Sequence, residues 1–198
     1  MIKNVIFDIG NVLLDFCWKD HIARFGFQGE KADRIAQAMM LGPIWPKLDL
    51  GLESDEDILE QFVAHTPELE QEIRLVFSDL STIVREYEGS VDWIESLKAR
   101  GYHTYYLSNY GERIRREASK ELSFLSHMDG GIMSYTVHLA MPDPAIYQTL
   151  LDRYGLKAEE CVFLDDTVRN VEAAQALGIA GIVVTSQEQA KKELETLL

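Results

Sequence analysis

Four short apolar runs, each bounded by turn residues or an acid, constrain this chain more than any other feature. They are Val5–Phe7, Tyr102–Leu107, Cys161–Leu164 and Ile179–Val184. Runs that are apolar without alternation suit strands covered on both faces, as in a parallel sheet. Between and after them, apolar residues recur at helical spacing over Val91–Arg100, Glu112–Leu122, Ala145–Tyr154 and Val168–Leu177. Gly101, Gly155 and Gly178 then stand where helix C-termini favour a left-handed residue. This β–α alternation predicts an α/β fold: a doubly wound, Rossmann-like parallel sheet with ligands at the carboxyl ends of its strands.

The stretch from Phe16 to Tyr87 has no such runs and reads as successive helices. Ser54, with Asp57 three residues later, marks one N-terminus, and Thr66-Pro67 marks another. Leu69, Ile73, Val76, Phe77, Leu80, Ile83 and Val84 then form one apolar stripe of a single long helix. A βα crossover needs only about a dozen residues. The expected organisation is therefore an α/β core of residues 1–15 and 88–198, with residues 16–87 inserted as an all-helical cap.

Nineteen Lys and Arg against 33 Asp and Glu give a net charge of −14, which leaves no basic field for nucleic acid or an anionic membrane. Cys17 and Cys161 are far apart and belong to no Cys/His cluster, which disfavours a disulfide framework or a zinc site. The N-terminal apolar run meets Asp8 too soon for a signal peptide, and no run approaches the ~20 residues that span a bilayer. A cytoplasmic location is the expectation, and the oligomeric state is not legible.

Three acids follow strand runs directly: Asp8 after Val5-Ile6-Phe7, and Asp165-Asp166 after Cys161–Leu164. In a parallel sheet both strand ends open onto one edge, so these carboxylates should converge. Converging carboxylates repel unless a cation intervenes, and an all-oxygen ligand set favours Mg²⁺. Taken singly, each acid could equally cap the helix that follows.

Asp8-Ile9-Gly10-Asn11-Val12, Leu107-Ser108-Asn109, Pro142-Asp143-Pro144-Ala145-Ile146-Tyr147 and Leu164-Asp165-Asp166 with Asn170 resemble, in order and spacing, the four motifs of the haloacid dehalogenase-like hydrolases. The opening motif looks most like the subgroup containing bacterial α-D-glucose-1-phosphate phosphatase. The resemblance implies that Asp8 is a nucleophile forming an aspartyl-phosphate and also a Mg²⁺ ligand. It further implies Asp166, Asp165 and the Gly10 carbonyl as metal ligands, and Ser108 as a hydrogen-bond donor to a phosphate oxygen. Asn109 would support substrate binding, although both it and Asn170 could be amides that tie loops together.

Two positions depart from the family pattern. Most family phosphatases have a second Asp two residues after the nucleophile, as general acid and base, where this chain has Gly10. The family's motif three has a Lys immediately before Pro-Asp-Pro, where this chain has Met141. Arg169 and His138 are the candidate substitute cations. In the cap, Trp18, Lys19 and His21 follow motif one, and Trp45 and Lys47 lie in or beside a Pro-flanked loop. Trp18 and Trp45 are the expected substrate contacts, or else packing at the cap–core interface.

The expected function is a Mg²⁺-dependent phosphatase of a small phosphorylated metabolite, a sugar phosphate fitting the cap's Trp18 and Trp45 with the polar groups beside them. Two alternatives stay open: a catalytically silent binding or regulatory protein on the same fold, and a 2-haloacid dehalogenase. Dehalogenation needs no second Asp, but it also uses the missing Lys and needs no metal.

Overall fold

Val5, Ile6 and Phe7 are buried, as are all five residues of Cys161–Asp165, so both segments are covered on each face. The computed structural model describes residues 1–198. Strands β1 (Asn4–Phe7) and β2 (Leu14–Phe16) lead into α1 (Trp18–Arg24), α2 (Gly29–Ala38), α3 (Trp45–Leu50), α4 (Asp55–His65) and α5 (Glu70–Phe77). Next come β3 (Val84–Glu86), α6 (Ser90–Ala99), β4 (His103–Ser108), α7 (Glu112–Glu117) and β5 (Gly130–Met133). The chain ends with α8 (Pro144–Tyr154), β6 (Cys161–Asp165), α9 (Val168–Ala176), β7 (Ala180–Val183) and α10 (Gln187–Glu195).

Five strands form one parallel sheet in the order β5-β4-β1-β6-β7. The chain moves outward from β1 through β4 to β5, then returns to the other side of β1 for β6 and β7. With right-handed crossovers, the rule for parallel strands, this reversal places helices on both faces, the doubly wound α/β arrangement expected from the apolar runs. The reversal also opens a crevice at the carboxyl ends of β1, β4 and β6. Phe7 pairs with both Tyr106 and Leu164, so Asp8, Ser108 and Asp165 emerge on that same edge.

The structure differs from the sequence reading between residues 14 and 87. The apolar stripe from Leu69 to Val84 is not one helix: a 3₁₀ turn at Pro67–Leu69 precedes α5, which stops at Phe77. Leu80, Ile83 and Val84 are nonetheless buried, so burial outside a helix produced an apparent helical period. Val84–Glu86 instead pairs antiparallel with Leu14–Phe16, forming a two-stranded ribbon at the base of the helical segment. Arg113 fixes the end of α5, donating to the Phe77 carbonyl at 2.7 Å with its guanidinium 4.2 Å from the Phe77 ring. An aromatic chain continues inward: Phe77 meets Phe62 at 5.7 Å, Phe62 meets Trp45 at 6.2 Å, and Trp45 meets Phe16 at 6.1 Å. No helix is long and apolar enough to cross a membrane.

Elsewhere, the helix expected over Glu112–Leu122 ends at Glu117 and gives way to a 3₁₀ segment, Ser119–His127. In this region the Glu117 and Glu121 carboxylates accept hydrogen bonds from the Leu80 and Glu86 N–H groups at 2.7 and 2.9 Å. Edge strand β5 lacks a sequence signature because two of its four residues are Gly. Gly131 lies against the Tyr106 backbone and ring, and a Cβ there would overlap both. Gly131→Ala is therefore expected to cost about 1–3 kcal/mol through overpacking, lowering Tm by about 2–12 °C. An unchanged melt would show that β4 and β5 have room that the structure denies them.

Candidate active site

At the carboxyl end of β1, the Asp8 N–H donates to the Leu164 carbonyl at 2.8 Å, which holds the Asp8 side chain beside the end of β6. Carboxylate oxygens of Asp8, Asp165 and Asp166 all lie within 4.8 Å of one another. Asp8 Oδ1 is buried without a hydrogen-bond partner. Burial, reinforced by the Asp165 charge, pushes the Asp8 carboxyl well above the usual carboxylate range, against the Ser108 hydroxyl and Ile9 N–H. Burial likewise raises Asp165 to about 6.

The neighbours of this cluster hold it in shape. Asp165 accepts from the Thr167 N–H at 2.7 Å and from Asn170 Nδ2 at 3.0 Å. Tyr147 in turn donates to the Asn170 carbonyl at 2.8 Å. Asp166 accepts from Asn11 Nδ2 at 2.8 Å. Asn11 reaches it from a left-handed backbone, φ 55°, a conformation that Asn tolerates better than most residues. Asn170 thus ties the acidic loop, the role that the sequence left open to it.

Asp8 and Asp166 lie at the floor of a cleft of about 250 Å³, which Gly10, Ser108 and Asn109 also border, while Asp165 is buried behind them. Both polar ends of the Asn109 side chain are occupied, Nδ2 by the Met141 carbonyl at 2.9 Å and Oδ1 by the Met141 N–H at 2.8 Å. Asn109 therefore holds the loop that carries Met141, with one Nδ2 hydrogen and one Oδ1 lone pair left over on the cleft wall. Met141 is buried and lines the cleft. Of the two candidate cations, Arg169 lines the cleft, and its charge acts on Asp165, drawing its pKa down. His138 stands away from the cleft wall, its Nδ1 held 2.9 Å from the Leu50 carbonyl.

From the helical side, α3 delivers Trp45 and Asp49, which share a face at i,i+4 and both line the cleft. Trp18 does not reach it. It opens α1 beside a separate surface groove bordered by Phe27 and Ala32, with the Lys19 ammonium 5.2 Å from its ring. His21 is fully buried, its ring nitrogens 3.0 Å from Thr82 Oγ1 and 3.3 Å from the Val76 carbonyl. Lys47 points away from Trp45 on the helix and contacts Gln61 at 2.6 Å. Asp49 and Tyr110 escaped the sequence reading. Burial holds the Asp49 carboxyl at about 7, and the buried Tyr110 hydroxyl has no partner.

A family model described as haloacid dehalogenase-like hydrolase matches residues 2–178. The mouse protein acyl-CoA dehydrogenase family member 10 is 31% identical over 207 aligned positions, covering 99% of this chain and 19% of that protein. The phosphorylated carbohydrates phosphatase of Thermotoga maritima is 30% identical over 142, covering 71% of this chain and 63% of its own length. The chain spans about a fifth of the length of the first curated relatives it matches. Among solved structures, a HAD family enzyme from Bacteroides thetaiotaomicron in complex with magnesium and inorganic phosphate superimposes with a TM-score of 0.72. The two share 22% identity, with 94% of this chain and 96% of that one covered. The family match runs through β1, β4 and β6, the strands that carry the acidic cluster and Ser108, and on that ground the chain belongs to the haloacid dehalogenase-like hydrolases.

Proposed function

We propose that this protein is a Mg²⁺-dependent phosphatase of small phosphorylated metabolites, acting through an aspartyl-phosphate on Asp8. The carrying observation is the convergence of Asp8, Asp165 and Asp166 within 4.8 Å, with one buried Asp8 oxygen left without a partner. Three carboxylates this close cannot all ionise comfortably without a cation. Their all-oxygen donor set fits a hard divalent ion, and the Gly10 carbonyl would complete the protein ligands. When bound, Mg²⁺ would supply charge neutralisation at the phosphoryl oxygens.

Asp8 would attack phosphorus in line while the Ser108 hydroxyl holds a phosphate oxygen. The resulting acyl phosphate is a mixed anhydride that water cleaves readily, which is the advantage of a carboxylate nucleophile. Arg169 is the one Lys or Arg side chain on the cleft wall. It would stand in for part of the positive charge that Met141 lacks. Residues 16–87 would act as the cap, with Trp45 offering a flat apolar face to a sugar or similar group. The Thermotoga relative named for phosphorylated carbohydrates supports that substrate class.

A screen of phosphate monoesters with millimolar Mg²⁺ tests this reading, and stripping the metal with a chelator is expected to cut turnover by at least about 10³-fold. At fixed ionic strength, millimolar Mg²⁺ is expected to raise Tm by at least about 2 °C, an effect abolished by Asp166→Ala. Turnover indifferent to chelation would overturn the metal-assisted mechanism.

A further inference from the structure

An alkyl phosphate releases a strongly basic alkoxide, so its cleavage needs a proton donor beside the leaving oxygen. The acids at the sheet edge are already committed: Asp8, Asp165 and Asp166 converge on one another, and Asp165 and Asp166 accept the bonds from Thr167, Asn170 and Asn11. Beside the nucleophile, residue 10 is a glycine with open space around it, since nothing lies within 4 Å of the place a Cβ would take.

The other carboxyl on the cleft wall is Asp49 of α3. Its side chain makes no hydrogen bond or ion pair within the protein, and desolvation alone sets its acidity, at about 7. Its backbone, by contrast, is anchored. Ser134 donates to the Asp49 carbonyl at 2.5 Å, and Gly51 packs directly on Tyr135. Tyr110 also lines the cleft, 5% exposed, with a hydroxyl that has no partner. Asp8, Tyr110 and Asp49 all line this one cleft, so the two carboxylates face the same space.

We propose that Asp49 is the general acid and base of the reaction, delivered from the helical segment across the cleft from Asp8. The role rests on the phosphatase reading above. In the first half-reaction an Asp8 oxygen bonds to phosphorus as the phosphorus–oxygen bond to the alcohol breaks. The leaving oxygen keeps the electron pair and takes the proton of the Asp49 carboxyl. In the second, the Asp49 carboxylate takes a proton from water while the water oxygen bonds to phosphorus. The bond from phosphorus to Asp8 then breaks, releasing inorganic phosphate and restoring both side chains. Tyr110 cannot serve instead, because burial pushes its phenol far above its ordinary value. An arginine side chain does not serve as a proton donor in proteins, so Arg169 on the cleft wall is no substitute.

The test compares two probes: ethyl phosphate, whose leaving oxygen needs a proton, and p-nitrophenyl phosphate, whose leaving oxygen does not. Asp49→Asn is expected to lower kcat/KM for ethyl phosphate by at least about 10²-fold and to leave that for p-nitrophenyl phosphate within about fivefold. Adding Gly10→Asp to Asp49→Asn is expected to restore at least tenfold on ethyl phosphate, which no packing role of Asp49 would explain. Equal losses on both esters, no loss on either, or a change in KM alone overturns the role. If wild type hydrolyses p-nitrophenyl phosphate, Asp8→Asn does not and Asp49→Asn is unselective, the role fails while the phosphatase reading stands. A wild type inert on both esters overturns the reading and the role together.

Discussion

Asp8→Asn is expected to lower kcat/KM for every phosphate monoester by at least about 10⁴-fold, the scale on which loss of a nucleophile is felt. An amide nitrogen does not attack phosphorus, and Asn offers the metal one neutral oxygen in place of a charged one. The fold should not suffer. Asp8 is buried beside Asp165 and Asp166, and both burial and their charges oppose its ionisation. The neutral isostere relieves that opposition, so Tm in the absence of Mg²⁺ should stay level or rise. Beryllium fluoride, which mimics an acyl phosphate, should protect wild type against melting in the presence of Mg²⁺ and leave Asp8→Asn unaffected. Asp8→Asn retaining most of the parental turnover would remove Asp8 from the covalent chemistry.

The second large effect is a gain. Met141 is buried on the cleft wall, and Asn109 grips its backbone at both ends, so a side chain of similar length placed there keeps its direction. Met141→Lys would put a positive charge close to the phosphate, in a site where one such donor is worth ~3–4 kcal/mol. The expected result is a rise of at least about 10²-fold in kcat/KM for a phosphate monoester. The acidic cluster opposite should offset the cost of burying the ammonium, so Tm should change little. No gain in Met141→Lys, coupled with a loss of at least about 10²-fold in Arg169→Ala, would assign the whole cationic role to Arg169.

Much of the sheet was legible because burial on both faces leaves an uninterrupted apolar signature, as in Cys161–Leu164, and the Asp pair that follows marks the strand's carboxyl end. The same logic failed for β5, where the Tyr106 ring and backbone fill the space a side chain would need, so glycine replaces the expected β-branched residues. It failed again at Leu80, Ile83 and Val84, whose spacing fits a helix although they are buried in a loop and a three-residue strand. Asp8, Asp165 and Asp166 could be read from position alone, because strand register brings them together. Residues delivered by the helical segment could not. Trp18 and Trp45 look equivalent in the sequence, yet the direction of α3 brings Trp45 and Asp49 to the cleft while α1 carries Trp18 to another groove. The only sequence clue to Asp49 is its i,i+4 spacing from Trp45, which gains meaning once Trp45 is known to face the site.

The most direct test of the covalent claim is to stop wild-type turnover with acid within milliseconds, reduce the protein with borohydride and map it by mass spectrometry. Borohydride converts an aspartyl-phosphate to homoserine and leaves a free carboxylate alone. The expected result is homoserine at position 8, present only when both substrate and Mg²⁺ were supplied. A protein that turns over rapidly while Asp8 emerges unmodified at every quench time would contradict the account.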